Sequence, residues 1–271
     1  ADTLSGGDGA DTLDGGAGAD TLDPGSTTAV DVVVGGSGSD TVDYSSMSSA
    51  VTVDLGAGTS GAASEDTLTS VENASTGSGN DTLTGDASSN VLSGGAGDDV
   101  YDGALGADTI SDVSGTDTAT YASHGVTPVT LSIDGVANDG AAAEGDNIPT
   151  SIEVITGGSG ADTLSGSSGA DVMNGGDGAD TLIAGAGDVL NGDAGDDTFD
   201  EGAVAQTETI NGGEKESSHT LDSVCGLNGP GSHNPLSNNP KSFIIFMEIH
   251  SLHLRFLAQI HKKMIMRELF I

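Results

Sequence analysis

GGDGADTLD at residues 6–14 is followed without a gap by GGAGADTLD at 15–23. The same nine-residue frame returns at 35–43 (GGSGSDTVD), 94–102 (GGAGDDVYD), 157–165 (GGSGADTLS) and 175–183 (GGDGADTLI). Counting against a template, chance gives roughly 0.1–0.2 matches to G-G-x-G-x-D at this composition; six are present. Near-copies extend the series at 76–84 (TGSGNDTLT), 103–111 (GALGADTIS), 166–174 (GSSGADVMN) and 192–200 (GDAGDDTFD). Weaker copies are GDASSNVLS at 85–93 and the eight-residue AGAGDVLN at 184–191. A period this strict signals a repeat architecture.

Within the frame, glycines at positions one, two and four permit positive φ and let the backbone turn around an ion. Positions seven to nine read Thr-Leu-Asp or similar, a short alternating strand whose middle residue points inward. The inward set is Leu13, Leu22, Val42, Leu83, Leu92, Tyr101, Ile110, Leu164, Met173, Leu182, Leu190 and Phe199. At about 1.5–3 kcal/mol per buried side chain, one apolar residue in nine does not offset the ordering entropy of its neighbours. The fold needs another source of stability.

Composition shows where that source must lie. The chain of 271 residues has 44 Gly, no Trp, and 42 acids against 6 bases, a formal charge of −36. Every base (Lys215, Lys241, Arg255, Lys262, Lys263 and Arg267) lies beyond residue 214. A surface of this sign excludes nucleic acid, whose phosphates need cationic side chains. Internal salt bridges are excluded for the same reason. Glycine and charge alone would read as disorder, which the repeats overrule. The single Cys225 excludes a disulfide scaffold. No signal peptide is read at the N-terminus, and residue 1 already falls inside a patterned segment, so the chain is expected to be part of a longer protein. No stable membrane insertion is expected, since nothing before residue 243 approaches spanning length.

The nonamer resembles the RTX (haemolysin-type) calcium-binding repeat, G-G-x-G-x-D-x-U-x with U a large apolar residue. The resemblance covers about two thirds of the chain. It implies an all-β fold: a calcium-loaded parallel β-roll, two nonamers to each eighteen-residue coil. The residues agree on the ion. Stacked coils lie about 4.8 Å apart, so position-six carboxylates eighteen residues apart repel by roughly 3 kcal/mol at an effective dielectric near 20. A divalent cation between coils reverses that sign. Only oxygen ligands are available, which selects a hard ion, and a flexible irregular cage favours calcium over magnesium. Zinc and copper lack sulfur and imidazole, since His124 is the only histidine before residue 219.

Spacing names the expected ligand pairs: Asp2 with Asp20, Asp81 with Asp99, Asn90 with Asp108, Asp99 with Asp117, and Asp162 with Asp180. The shortened repeat at 184–191 makes Asp171 with Asp188 and Asp180 with Asp197 seventeen apart. Asn90 predicts a weaker site. Asp11 and Asp40 have the local frame of a ligand but no partner one regular coil away. Asp8, Asp98, Asp177 and Asp196 occupy variable positions and read as solvated charge. About six to ten ions are expected for sites of this type.

The expected organisation is three repeat blocks (1–43, 76–120 and 156–222) separated by two β insertions (44–75 and 121–155) and followed by a tail (223–271). The insertions match each other. DTVDYSSMSSAVTVDLG (40–56) parallels DTATYASHGVTPVTLSIDG (117–135), and Glu72 corresponds to Glu153 in a duplicated unit of about eighty residues. Both glutamates read first as solvated acids at strand ends, with an added ligand role as the alternative. In the tail, GLNGPGSHNPLSNNPKS (226–242) is a linker. Ile245, Ile249, Leu252, Phe256, Ile260 and Met264 then fall at helical spacing, either as an amphipathic secretion signal or as a non-native tail.

No catalytic signature is found. H-E-x-x-H and G-x-S-x-G are absent from the sequence, and regular spacing already accounts for the carboxylates. The expectation is a non-enzymatic, calcium-dependent folding and export module of a larger secreted protein. A type I secretion apparatus and several calcium ions are its implied partners, and the outside of the cell or its surface is the implied location. The alternatives are a surface-layer or adhesin repeat region, the non-catalytic C-terminal part of a secreted protease, lipase or toxin, and a permanently disordered acidic polymer.

Overall fold

A computed structural model describes residues 1–25, 29–61, 66–200, 209–212 and 218–220. The postulated tail helix and the remainder of the third block lie outside the described residues. The chain winds as a parallel β-solenoid between two facing sheets, with 13 and 12 strands among the described residues. Most strands are three residues long, such as Thr21–Asp23, Thr82–Thr84 and Thr163–Ser165. They are short because glycines at positions one, two and four of the next nonamer turn the chain to the opposite sheet.

Register follows the repeat length. Leu4 sits beside Leu22, Leu83 beside Tyr101 and Leu164 beside Leu182, each one eighteen-residue coil apart. The shortened repeat gives a seventeen-residue coil, with Met173 beside Leu190 and Leu182 beside Phe199. Another coil is twenty residues long, placing Leu13 beside Val33 and Leu22 beside Val42. All twelve residues of the expected inward set are buried.

The insertions are three-stranded antiparallel excursions, one on each sheet. Thr52–Asp54, Thr59–Gly61 and Asp66–Thr69 lie in the second sheet between the roll strands Val32–Ser37 and Thr82–Thr84. Val129–Ser132, Ala137–Ala141 and Asp146–Asn147 lie in the first sheet between Thr109–Ser114 and Thr163–Ser165. The alternation of VTVDL and VTLSI buries Val51, Val53 and Leu55 in one copy and Val129, Leu131 and Ile133 in the other. Tyr44, Met47 and Leu68, with Tyr121, Ile148 and Ile152, complete these cores. The core is therefore thickest at the excursions and thin in the plain coils. Ala122–His124 forms one 3-10 turn at the start of the second excursion, with His124 Nε2 3.0 Å from Glu144.

An asparagine ladder stiffens one outer edge. Asn211 donates through Nδ2 to Asn191 Oδ1 at 2.6 Å, and Asn191 donates to Asn174 Oδ1 at 2.7 Å. Asn174 in turn donates to Thr156 Oγ1 at 3.1 Å. These position-nine side chains stack coil on coil because the register is kept.

Candidate metal centre

The position-six acids form two columns, one along each turn of the roll. In each column the backbone N–H of one acid donates to Oδ1 of the acid one coil on. Asp2 N donates to Asp20 at 2.6 Å and Asp20 N to Asp40 at 2.8 Å. Asp81 N donates to Asp99 at 2.8 Å and Asp99 N to Asp117 at 2.7 Å. Asn90 N reaches Asp108 at 2.7 Å, Asp162 N reaches Asp180 at 2.8 Å, and Asp180 N reaches Asp197 at 3.1 Å. Asp171 N reaches Asp188 at 3.0 Å. Every pair expected from spacing is brought together.

In most of these acids one carboxylate oxygen is thereby spoken for, as is Asp81 Oδ1 by Val51 N at 2.7 Å. Among the described residues, Oδ2 of Asp11, Asp20, Asp40, Asp81, Asp108, Asp117, Asp180 and Asp197 is buried with no hydrogen-bond partner. A buried carboxylate oxygen without a donor is costly unless a cation meets it. Oδ2 of Asp162, Asp171 and Asp188 instead accepts from the backbone N–H of Gly158, Ser167 and Gly185. Asp2 has an exposed side chain and joins its column only through its backbone.

Position-one glycine makes room for this arrangement. A Cβ on Gly15 would lie 2.8 Å from Asp20 Oδ2 and 2.7 Å from the Gly35 carbonyl oxygen. One on Gly157 would lie 2.5 Å from Asp162 Oδ2 and 2.6 Å from the Gly175 carbonyl oxygen. Carboxylate and carbonyl oxygens from neighbouring coils thus converge on a space that only glycine leaves open. Positive φ is used at positions two and four in five of the six strict repeats, as at Gly16 (83°) and Gly18 (124°). Position one does not use it, so the expectation of positive φ at all three glycines is corrected: the first is needed for space. These donors are all oxygens and several are unsatisfied, so the residues fit a hard divalent ion.

Five acids extend the columns beyond those read from spacing. Asp11 N donates to Asp31 Oδ1 at 2.7 Å, and Asp31 N to Asp66 Oδ1 at 2.9 Å. Asp40 N donates to Glu72 Oε2 at 2.9 Å, and Asp117 N to Glu153 Oε2 at 2.9 Å. Asp108 N donates to Asp146 Oδ1 at 2.8 Å. Asp11 and Asp40 therefore do have partners, and both glutamates are ladder members rather than solvated strand ends. The separations are 20, 35, 32, 36 and 38 residues, which a search at eighteen misses. The available signal was the glycine-free remnant of the frame, DVVV at 31–34 and DTLT at 66–69.

Asn90 uses its amide in a way no carboxylate can, donating to the Glu72 carbonyl at 2.6 Å while Oδ1 accepts from Asp86 N at 2.8 Å. Asp8, Asp98, Asp177 and Asp196 are exposed. Burial is the main cause that raises several column acids, with neighbouring carboxylates adding to it: Asp108 and Asp117 to about 7 and Asp180 to about 6. Asp99 and Asp171 are raised for the same leading reason. The ion-free columns hold more negative charge than they can neutralise internally.

No curated protein matches the chain. The family described as RTX calcium-binding nonapeptide repeat (4 copies) matches it over five segments, residues 1–26, 27–45, 75–110, 156–188 and 188–202. These segments contain all six strict nonamers and most of the column acids. By this match these segments are RTX calcium-binding nonapeptide repeats.

Proposed function

We propose that this chain is a calcium-triggered folding and export module of a larger extracellular protein, itself without catalytic function. The observation that carries the reading is the set of buried Oδ2 atoms with no donor, aligned along both columns of a roll with a thin apolar core. The ions are assigned to Asp11, Asp20, Asp40, Asp81, Asp99, Asp108, Asp117, Asp162, Asp171, Asp180, Asp188 and Asp197, with glycine carbonyls of adjacent coils. Asn90 contributes a neutral, weaker position, and Asp2 closes its column through the backbone. Bound calcium supplies the positive charge that the first 214 residues lack.

Extracellular calcium modules bind on the order of 10⁻⁴–10⁻³ M. At cytosolic calcium the chain stays unfolded and threadable through a type I secretion apparatus. Outside, binding and folding are one free-energy change, because the sites do not exist beforehand. Far-ultraviolet circular dichroism with chelator and at about 10 mM calcium, well above that affinity range, tests the reading. A coil spectrum that converts to a β spectrum on adding calcium supports it. Identical spectra in the two conditions defeat it.

A further inference from the structure

The frame that begins at residue 112 reads DVSGTDTAT, with Asp112 where the strict repeats carry their first glycine. In those repeats the space above that glycine is where the position-six oxygen of the same nonamer sits. Asp112 fills that space with a third carboxylate. Ligand oxygens of Asp99, Asp112 and Asp117 all lie within 4.8 Å of one another, the one such group of three among the described residues. Asp99 and Asp117 are fully buried. Oδ2 of Asp112 and Oδ2 of Asp117 are both buried with no hydrogen-bond partner. A fully buried Asp117 oxygen with no donor, on a residue clustered with two other carboxylates, is costly unless a cation or a shared proton meets it, and a cation serves all three.

The remaining atoms hold the group in place. Asp99 N donates to Asp117 Oδ1 at 2.7 Å and Asp117 N to Glu153 Oε2 at 2.9 Å. The Tyr101 hydroxyl donates to Asp112 Oδ1 at 3.1 Å and lies 3.5 Å from Asp99 Oδ2, while it accepts from Gly94 N at 3.1 Å. Plain coils offer two acids per gap; this one offers three, and a tyrosine to orient them.

We propose that Asp99, Asp112 and Asp117 form a distinct high-affinity site for a hard di- or trivalent cation, filled before the other sites of the roll. The inference rests on the calcium-binding reading above and adds an order to it. Affinity of oxygen sites rises with the number of charged ligands, and a third carboxylate favours a trivalent ion further.

Terbium titration of the full chain tests this, read by emission sensitised through tyrosine, with Tyr101 the phenol in contact with the site. The wild type is expected to show an early step at least about tenfold tighter than the later ones, given how charge count tunes such sites. Asp112→Gly, which restores the ordinary repeat, and Asp112→Asn, which keeps the side-chain volume, are both expected to lose that early step. Both keep the calcium-induced change in circular dichroism. Tyr101→Phe is expected to make the early step silent in emission. Titrations of both Asp112 variants that superimpose on the wild type, with the calcium response intact, overturn this site alone. Early emission that survives Tyr101→Phe places the tight ion elsewhere and also overturns it. A wild type without any calcium response defeats the underlying reading as well.

Discussion

The Tyr121 hydroxyl donates to Asp146 Oδ2 at 3.0 Å, and Tyr44 makes the equivalent bond to Asp66 Oδ2 at 2.5 Å. Tyr44 also meets Ser60 Oγ at 2.6 Å. Asp66 and Asp146 are column acids, and their second oxygen has a tyrosine hydroxyl as its donor. Burial, with the adjacent carboxylates adding, pushes all three tyrosines up, so the phenols keep their protons. In each excursion a neutral hydroxyl therefore does what a cation is proposed to do in the plain coils.

Tyr121→Phe and Tyr44→Phe leave a buried carboxylate oxygen unpaired, a loss of about 1–3 kcal/mol for a buried polar group. The expected outcome is lower stability at saturating calcium, measured by urea unfolding. The number of ions bound, measured by equilibrium dialysis, is expected to stay the same.

Acidity is expected to replace calcium in part. Asp108 and Asp117 stand near 7 in the ion-free roll, Asp180 and the excursion residue Asp139 near 6, against an ordinary value of 3.8. Groups raised on folding bind protons more tightly when folded, so their contribution is fully present below about 4 and is lost as pH rises toward 7. Chelated protein is therefore expected to gain β structure in circular dichroism between neutral pH and about pH 4–5, on this linkage. Calcium affinity runs the other way, since ligands must shed protons. Titrations at pH 6 are expected to show weaker binding than at pH 8; equal affinity at both would contradict the raised values.

Two glycine substitutions separate space from backbone strain. A Cβ on Gly15 meets Asp20 Oδ2 and the Gly35 carbonyl oxygen, so Gly15→Ala is expected to remove an ion from the dialysis count. Gly7 has φ of 86° and nothing within 4 Å of its would-be Cβ. Gly7→Ala is expected to cost about 1–2 kcal/mol of left-handed strain and leave the ion count intact.

Asn191→Ala breaks two rungs of the asparagine ladder, to Asn174 and from Asn211. The side chains are half-buried or exposed, so the expected loss is modest, about 0.5–1.5 kcal/mol per hydrogen bond at most. Thermal unfolding at two calcium concentrations checks that the loss is the same at each, as a calcium-independent contact requires.

The plain coils were legible because one nonamer encodes one turn and one strand. Leu83 beside Tyr101 and Asp81 beside Asp99 follow from counting eighteen. Counting fails at the excursions, where extra chain leaves the plane of the coil and returns. Asp31 to Asp66 and Asp108 to Asp146 are neighbours in space for the same reason as Asp81 and Asp99, but 35 and 38 residues apart in sequence. Glu72 and Glu153 were harder still: a longer side chain reaches the same backbone N–H from a frame without glycine. Asp112 was hidden by its own substitution, since it removes the glycine that marks the start of a nonamer.

Each excursion sets three strands where a plain coil sets one, and the two fall on opposite sheets, which hold 13 and 12 strands among the described residues. A lone excursion would leave one wall two strands longer than the other, about 10 Å at the spacing of neighbouring strands, and the tube would have to skew or curve to absorb it. Because the duplicated units face opposite ways, the second cancels the imbalance left by the first. Adding further excursions to such a tube without unbalancing its walls therefore requires them to come two at a time.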